Sequence, residues 1–117
     1  MRSYRTIIVV EVMGLGLLFY AMLSGRGFLT PSILLFILGV TLNFVVCLAN
    51  GKRFPIELSD EDEKYIEGDP NYVRASNSTR FRWLGDRFRV FGAYRFSIGD
   101  VLLGMSILVY ILILLFN

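Results

Sequence analysis

Hydrophobic and polar positions along this chain are segregated into blocks. Three predominantly apolar runs, Ile7–Ser24, Phe28–Ala49 and Ile98–Phe116, enclose one polar stretch, Asn50–Ser97, that holds nearly all the charge. A helix rises ~1.5 Å per residue, so roughly 18–22 apolar residues match the ~30 Å hydrocarbon core of a bilayer. The pattern predicts an all-α membrane protein forming a single domain over residues 1–117. Its transmembrane helices are expected at about 7–24, 28–49 and 98–116, with a partly structured loop over 50–97. Gly25-Arg26-Gly27 leaves room only for a tight hairpin between the first two helices.

Local signals refine these elements. Thr30 can cap the second helix, and Pro31 fits a first turn where its missing N–H costs nothing. Ser97-Ile98-Gly99-Asp100 reads as an acidic variant of the capping box. Inside the loop, Leu58-Ser59-Asp60-Glu61-Asp62-Glu63-Lys64 reads as a capped acidic helix start, which Gly68-Asp69-Pro70-Asn71 closes as a turn. From Arg80 to Phe96 basic residues alternate with aromatic ones.

Composition narrows the chemistry. At 55% hydrophobic residues and a mean hydropathy of +0.58, the chain is too apolar for a soluble domain of 117 residues. It contains no histidine, the commonest metal ligand and neutral-pH general base, and its single cysteine, Cys47, lies within an apolar run. No catalytic residue, metal site or cofactor is expected, and the chain does not read as an enzyme.

The distribution of charge sets orientation. The amino tail (Arg2, Arg5) and the 50–97 loop (Lys52, Arg53, Lys64, Arg74, Arg80, Arg82, Arg87, Arg89, Arg95) lie on one side, and Arg26 alone lies on the other. The positive-inside rule counts Lys and Arg near the spans, so tail and loop are expected in the cytoplasm and the carboxy terminus outside the cell membrane. A cleaved signal peptide over Met1–Ser24 is the rival reading. Glu11 interrupts its apolar stretch, and no small-x-small site closes it.

Two polar residues fall within the spans. Glu11 is expected to reach the headgroups and pair with Arg5 or a loop arginine, its sharper alternative being a proton or ion site. Asn43 reads as packing glue on a face shared by Gly39, Cys47 and Asn50, and Glu11, Gly14, Ala21 and Gly25 can share a second face. The basic–aromatic stretch containing Arg80, Arg82, Trp83, Arg87 and Arg89 suits anionic lipid headgroups. A contact between this basic half and the acidic half of its own loop or of a partner is the next reading, and nucleic acid is not expected. Asn77-Ser78-Thr79 fits a glycosylation acceptor, which a cytoplasmic loop would keep from its transferase.

Three short motifs carry a resemblance. Asn50-Gly51-Lys52-Arg53-Phe54-Pro55, then Leu84-Gly85-Asp86, then Ser97-Ile98-Gly99-Asp100 resemble the successive signatures of an uncharacterised prokaryotic membrane-protein family, domain of unknown function 5317. The resemblance covers about residues 40–116, and members usually carry further spans ahead of these motifs. It implies a membrane location, singles out Asn50, Arg53, Asp86 and Asp100, and implies no activity. Together these residues suggest one charged group, Arg53 with Asp86 and Asp100, at the cytoplasmic mouth. The expected function is a non-enzymatic accessory or scaffold subunit, in a homo-oligomer or a larger membrane complex, with its loop docked on the membrane surface. The alternatives are an oligomeric channel or carrier using Glu11 and Asn43, and an enzyme acting on lipid or isoprenoid.

Overall fold

The computed structural model describes residues 3–89 and 95–116, with the side chains of Tyr65 and Arg89 outside that description. Arg2, Val90 and Phe91, and the Arg89 side chain on which part of the lipid-surface reading rests, therefore lie outside the described residues. Three helices dominate: α1 (Tyr4–Leu23), α2 (Thr30–Ala49, preceded by a 3-10 turn at Gly27–Leu29) and α3 (Ile98–Phe116). Each is long and apolar enough to cross a membrane. Their outer faces expose large apolar side chains, among them Phe19, Leu23, Ile107 and Leu115, as helices that are apolar all round must when lipid is the solvent.

The helix ends follow local chemistry. α1 begins earlier than the apolar run because the Ser3 side chain accepts from the Thr6 N–H at 3.1 Å. It ends at Gly25, whose φ of +75° lets the Arg26 N–H return to the Ala21 carbonyl at 2.8 Å. Gly25 is thus a helix stop and not part of the α1 seam. α2 ends the same way, with Gly51 at φ +70° and the Lys52 N–H donating to the Cys47 carbonyl at 2.9 Å. At the start of α2 the expected cap fails. Thr30 is already helical and Leu29 occupies the cap position, while Ser32 Oγ donates to the Leu29 carbonyl at 2.8 Å.

The loop is more ordered than a tether. β1 (Phe54–Ile56) pairs in parallel with β2 (Tyr72–Arg74), and on its other side Ile56 bridges to Asp86. A central strand containing proline is unusual, and Pro55 is tolerated because the second ladder asks it only to accept. Its carbonyl takes the Asp86 N–H at 2.9 Å, and Glu57 N–H donates to the Asp86 carbonyl at 2.8 Å. A short antiparallel pair, β3 (Phe88–Arg89) with β4 (Arg95–Phe96), leads into α3.

The acidic segment does not form the expected helix. It runs as turns with one 3-10 turn at Glu63–Tyr65, inside the crossover that joins the parallel strands. A single helical turn is costly to nucleate, and here the acids are drawn toward three different arginines. Arg74 meets Asp60 at 2.8 Å and Glu63 at 3.1 Å, Arg82 meets Glu57 at 2.6 Å, and Arg95 meets Asp62 at 3.2 Å. Gly68–Asn71 does close as a turn, with Asp69 Oδ1 accepting the Asn71 N–H at 2.9 Å.

Candidate functional site

The polar residues of α2 and the motif residues of the loop meet at one joint, where α2 ends and α3 begins. Gly39 and Gly99 make it possible. A Cβ on Gly39 would stand 2.6 Å from the Gly99 carbonyl oxygen, and one on Gly99 would stand 2.6 Å from that of Gly39. Only glycine at both positions allows this backbone approach without a shift.

One step along this seam, Asn43 bridges the helices. Its Oδ1 accepts from Ser97 Oγ at 2.8 Å and its Nδ2 donates to Asp100 Oδ1 at 3.2 Å. Ser97 and Asp100 complete the capping box, the Ser97 N–H donating to Asp100 Oδ2 at 3.0 Å and the Asp100 N–H to Ser97 Oγ at 3.2 Å. Asn43 is buried and Ser97 fully so, hence each bond satisfies a polar group held in an apolar surround. The acid also sits at the positive end of the α3 dipole, where its charge is favoured.

Asn50 forms the second part of the joint. Its amide donates to the Arg80 carbonyl at 2.9 Å and accepts the Arg80 N–H at 3.1 Å, reading the loop backbone as a neighbouring strand would. The same Nδ2 also donates to the Val46 carbonyl at 2.8 Å. Leu84 then closes on Val46, Cys47 and Phe54 in a common apolar cluster. Gly85 lets that element approach, since a Cβ there would lie 2.7 Å from the Pro55 carbonyl oxygen.

Arg53 does not join Asp86 and Asp100. Among the described residues no ion pair links it to either acid, and it is exposed, lining a groove of about 630 Å³ that includes Asp60, Glu63, Lys64, Tyr72 and Arg74. Asp86 is buried beside β1 and Asp100 is occupied at the α3 cap. The three charges are therefore divided among separate tasks, because the αL turn at Gly51-Lys52 and the strand that follows direct Arg53 toward the crossover.

Glu11 also differs from expectation. Both of its carboxylate oxygens lie within reach of Thr41 Oγ1, at 3.0 and 2.9 Å, and among the described residues no arginine pairs with it. Thr41 and Asn43 are two residues apart, roughly 200° around the helix, so Glu11 belongs to the α1–α2 seam and Asn43 to the α2–α3 seam. In one copy they do not share a polar face of α2. A small cleft of about 140 Å³ opens between the helices over Asn43 and Asp100, with Thr6, Ile7 and Val10 as its α1 wall.

The basic–aromatic stretch divides as well. Arg80 and Trp83 are exposed, whereas Arg82 forms a two-point pair with Glu57 (2.6 and 2.9 Å). Arg82 thereby holds the Glu57 carboxyl below its ordinary range, with Coulomb attraction from Arg87 adding to this, and Glu57 in turn raises the Arg82 guanidinium. Arg87 is exposed, its guanidinium 5.9 Å from the Phe88 ring centre. The contact between basic and acidic halves of one loop, the second of the readings from sequence, describes Arg82 and Arg95, and Arg74, which lies before the basic half, pairs with the same acidic segment. Arg95 is the most enclosed of these, 7% exposed, and also donates to the Glu57 carbonyl at 3.1 Å.

Sequence reasoning missed Thr41, Glu57 and Asp62, whose partners lie 30, 25 and 33 positions away and carry no local signal. Among the described residues no group of three potential metal ligands occurs. Chemically, the joint clamps: its donors and acceptors are committed to one another and to backbone.

Comparison with known proteins gives a family. A model of a family of unknown function, DUF5317, matches residues 2–113, and the chain belongs to that family. The match takes in α1 as well as the region bearing the three motifs. No curated protein and no solved structure matches the chain.

Proposed function

We propose that this membrane protein is a non-catalytic accessory or scaffold subunit, a three-helix anchor presenting a folded cytoplasmic loop at the membrane surface. The observation that carries this reading is the joint itself. Asn43, Asn50, Ser97 and Asp100 tie the loop and α3 to α2, so the loop has a fixed pose relative to the spans. A fixed pose is what a docking partner needs, since it lowers the ordering cost of association. The excess of Lys and Arg in the tail and loop supports a cytoplasmic location for both.

Purification of the tagged chain from native membranes in mild detergent tests the reading. A defined partner, or a defined homo-oligomer, should co-purify with the parent and be depleted with Asn50→Ala, which loosens the loop. A parent chain that elutes alone as a monomer would overturn it. Orientation is tested with cysteines at Lys52 and Asn117 in a Cys47→Ser background, where an impermeant reagent on intact cells should label Asn117 only. The channel or carrier reading ranks lower because Glu11 and Asn43 lie on different seams, and an enzyme acting on lipid ranks below that.

A further inference from the structure

We infer that Arg80–Trp83 is an interfacial anchor. Phe81 and Trp83 enter the boundary between headgroups and acyl chains, and Arg80 and Lys52 meet the phosphates of anionic glycerophospholipids. The inference deepens the proposed surface docking of the loop and rests on it.

Depth is the first argument. Leu84, at the end of the 3-10 turn Arg82–Leu84, is buried in one cluster with Val46 and Cys47, which lie in the last turn of α2. The turn therefore lies alongside the end of a span and not beyond it. Asn50 holds Arg80, two residues before the turn, at both its N–H and its carbonyl, so the segment is pinned at the level where α2 leaves the hydrocarbon.

Conformation is the second. Between these two anchors Phe81 adopts φ +50°, a left-handed conformation that aromatic residues rarely take. With Leu84 turned inward, Phe81 and Trp83 remain 46% and 56% exposed. Large aromatic rings at this depth have a favourable neighbour in the interfacial zone, where such residues concentrate.

Charge is the third. Arg82 is engaged by Glu57, whereas Arg80, whose backbone Asn50 holds, and Lys52, two residues after Asn50, are exposed; Arg53 is exposed too but lines the groove of the crossover. Lys52 Nζ stands 5.2 Å from the ring centre of Tyr4, the first residue of α1, and so marks headgroup level on the neighbouring helix. Exposed cations that accompany interfacial aromatic residues complement an anionic leaflet.

Trp83 is the chain's only tryptophan and reports on itself. The full chain is reconstituted in phosphatidylcholine vesicles, with and without phosphatidylglycerol, and its emission is read against lipids brominated near the glycerol end and against aqueous acrylamide. Blue-shifted emission, quenched several-fold more by bromolipid than by acrylamide, is the expected result. Phosphatidylglycerol should increase the bromolipid quenching, and Lys52→Glu with Arg80→Glu should remove that increase. Unshifted emission fully open to acrylamide would overturn the inference in favour of a water-facing segment. Shielding from both quenchers would overturn it in favour of a protein partner on this face, and indifference to phosphatidylglycerol would remove the phosphate contact. A lipid-quenched Trp83 in a chain that purifies alone would sink the subunit reading and leave this one standing.

Discussion

The two sides of α2 are built from similar residue types and do different work. Toward α1, Gly14 faces the Phe36 ring and the Ile37 side chain, and a half-buried Glu11 accepts from Thr41. Toward α3, Gly39 and Gly99 bring backbone against backbone, and Asn43 bonds into a capping box that is also the exit of the loop. A glycine facing a ring end leaves slack, because a ring can turn. A glycine facing a carbonyl leaves none. The α1–α2 seam is thus an adjustable contact, and the α2–α3 seam is a fixed hinge post on which the loop is mounted.

The largest expected effect separates these glycines. Gly99→Val should cost at or above the ~1–3 kcal/mol usual for overpacking, since its Cβ meets backbone and the Asn43 amide. Gly14→Val should cost less, and Gly104→Ala, with nothing within 4 Å, should be neutral. Unfolding in mixed micelles by detergent titration reads all three, and equal losses at Gly99 and Gly14 would break the comparison.

Asn43→Ala comes next. It removes the acceptor of the Ser97 hydroxyl bond and a donor to Asp100 Oδ1, and losing one partner of a buried hydrogen bond costs ~1–3 kcal/mol. Thr41→Val removes a single interhelical bond, worth ~0.6 kcal/mol on average within membranes. The same titration should rank Asn43 above Thr41, and the reverse order would make the α1–α2 seam the tighter one.

Asn50→Ala should leave the three helices intact and open the loop. Cleavage near Arg80 by trypsin should accelerate several-fold in detergent solution while helicity by circular dichroism stays constant. Asp60→Asn is the comparison, because Asp60 is 93% exposed and its pair with Arg74 contributes little. Matching cleavage rates in the two variants would place the mount elsewhere.

The smallest effect is one of pH. Glu57 has a lowered folded-state pKa, so its stabilising contribution is full above the ordinary glutamate value of 4.5 and is lost as pH falls through the lower folded value. Protease resistance of the loop should weaken slightly in that acid window, and Arg82→Gln should remove that component. An unchanged acid profile in Arg82→Gln would mean that another carboxylate governs the loop.

The sequence by itself determined the three spans, because a long apolar run has no comfortable alternative to a helix in lipid. It also determined the Ser97–Asp100 cap and the face shared by Gly39, Asn43 and Cys47, each of which depends on residues three to eight positions apart. Tertiary structure alone decided where Arg53, Glu11 and Arg82 would turn. Their partners are chosen by which backbone passes near, through the αL turn at Gly51-Lys52, the packing of α1 on α2 and the parallel crossover of the loop. An ion pair across 25 positions leaves no periodic trace in a single sequence. A helix is fixed by its neighbours in the chain, whereas a clamp such as that of Asn50 on Arg80 exists only once the chain has folded back on itself.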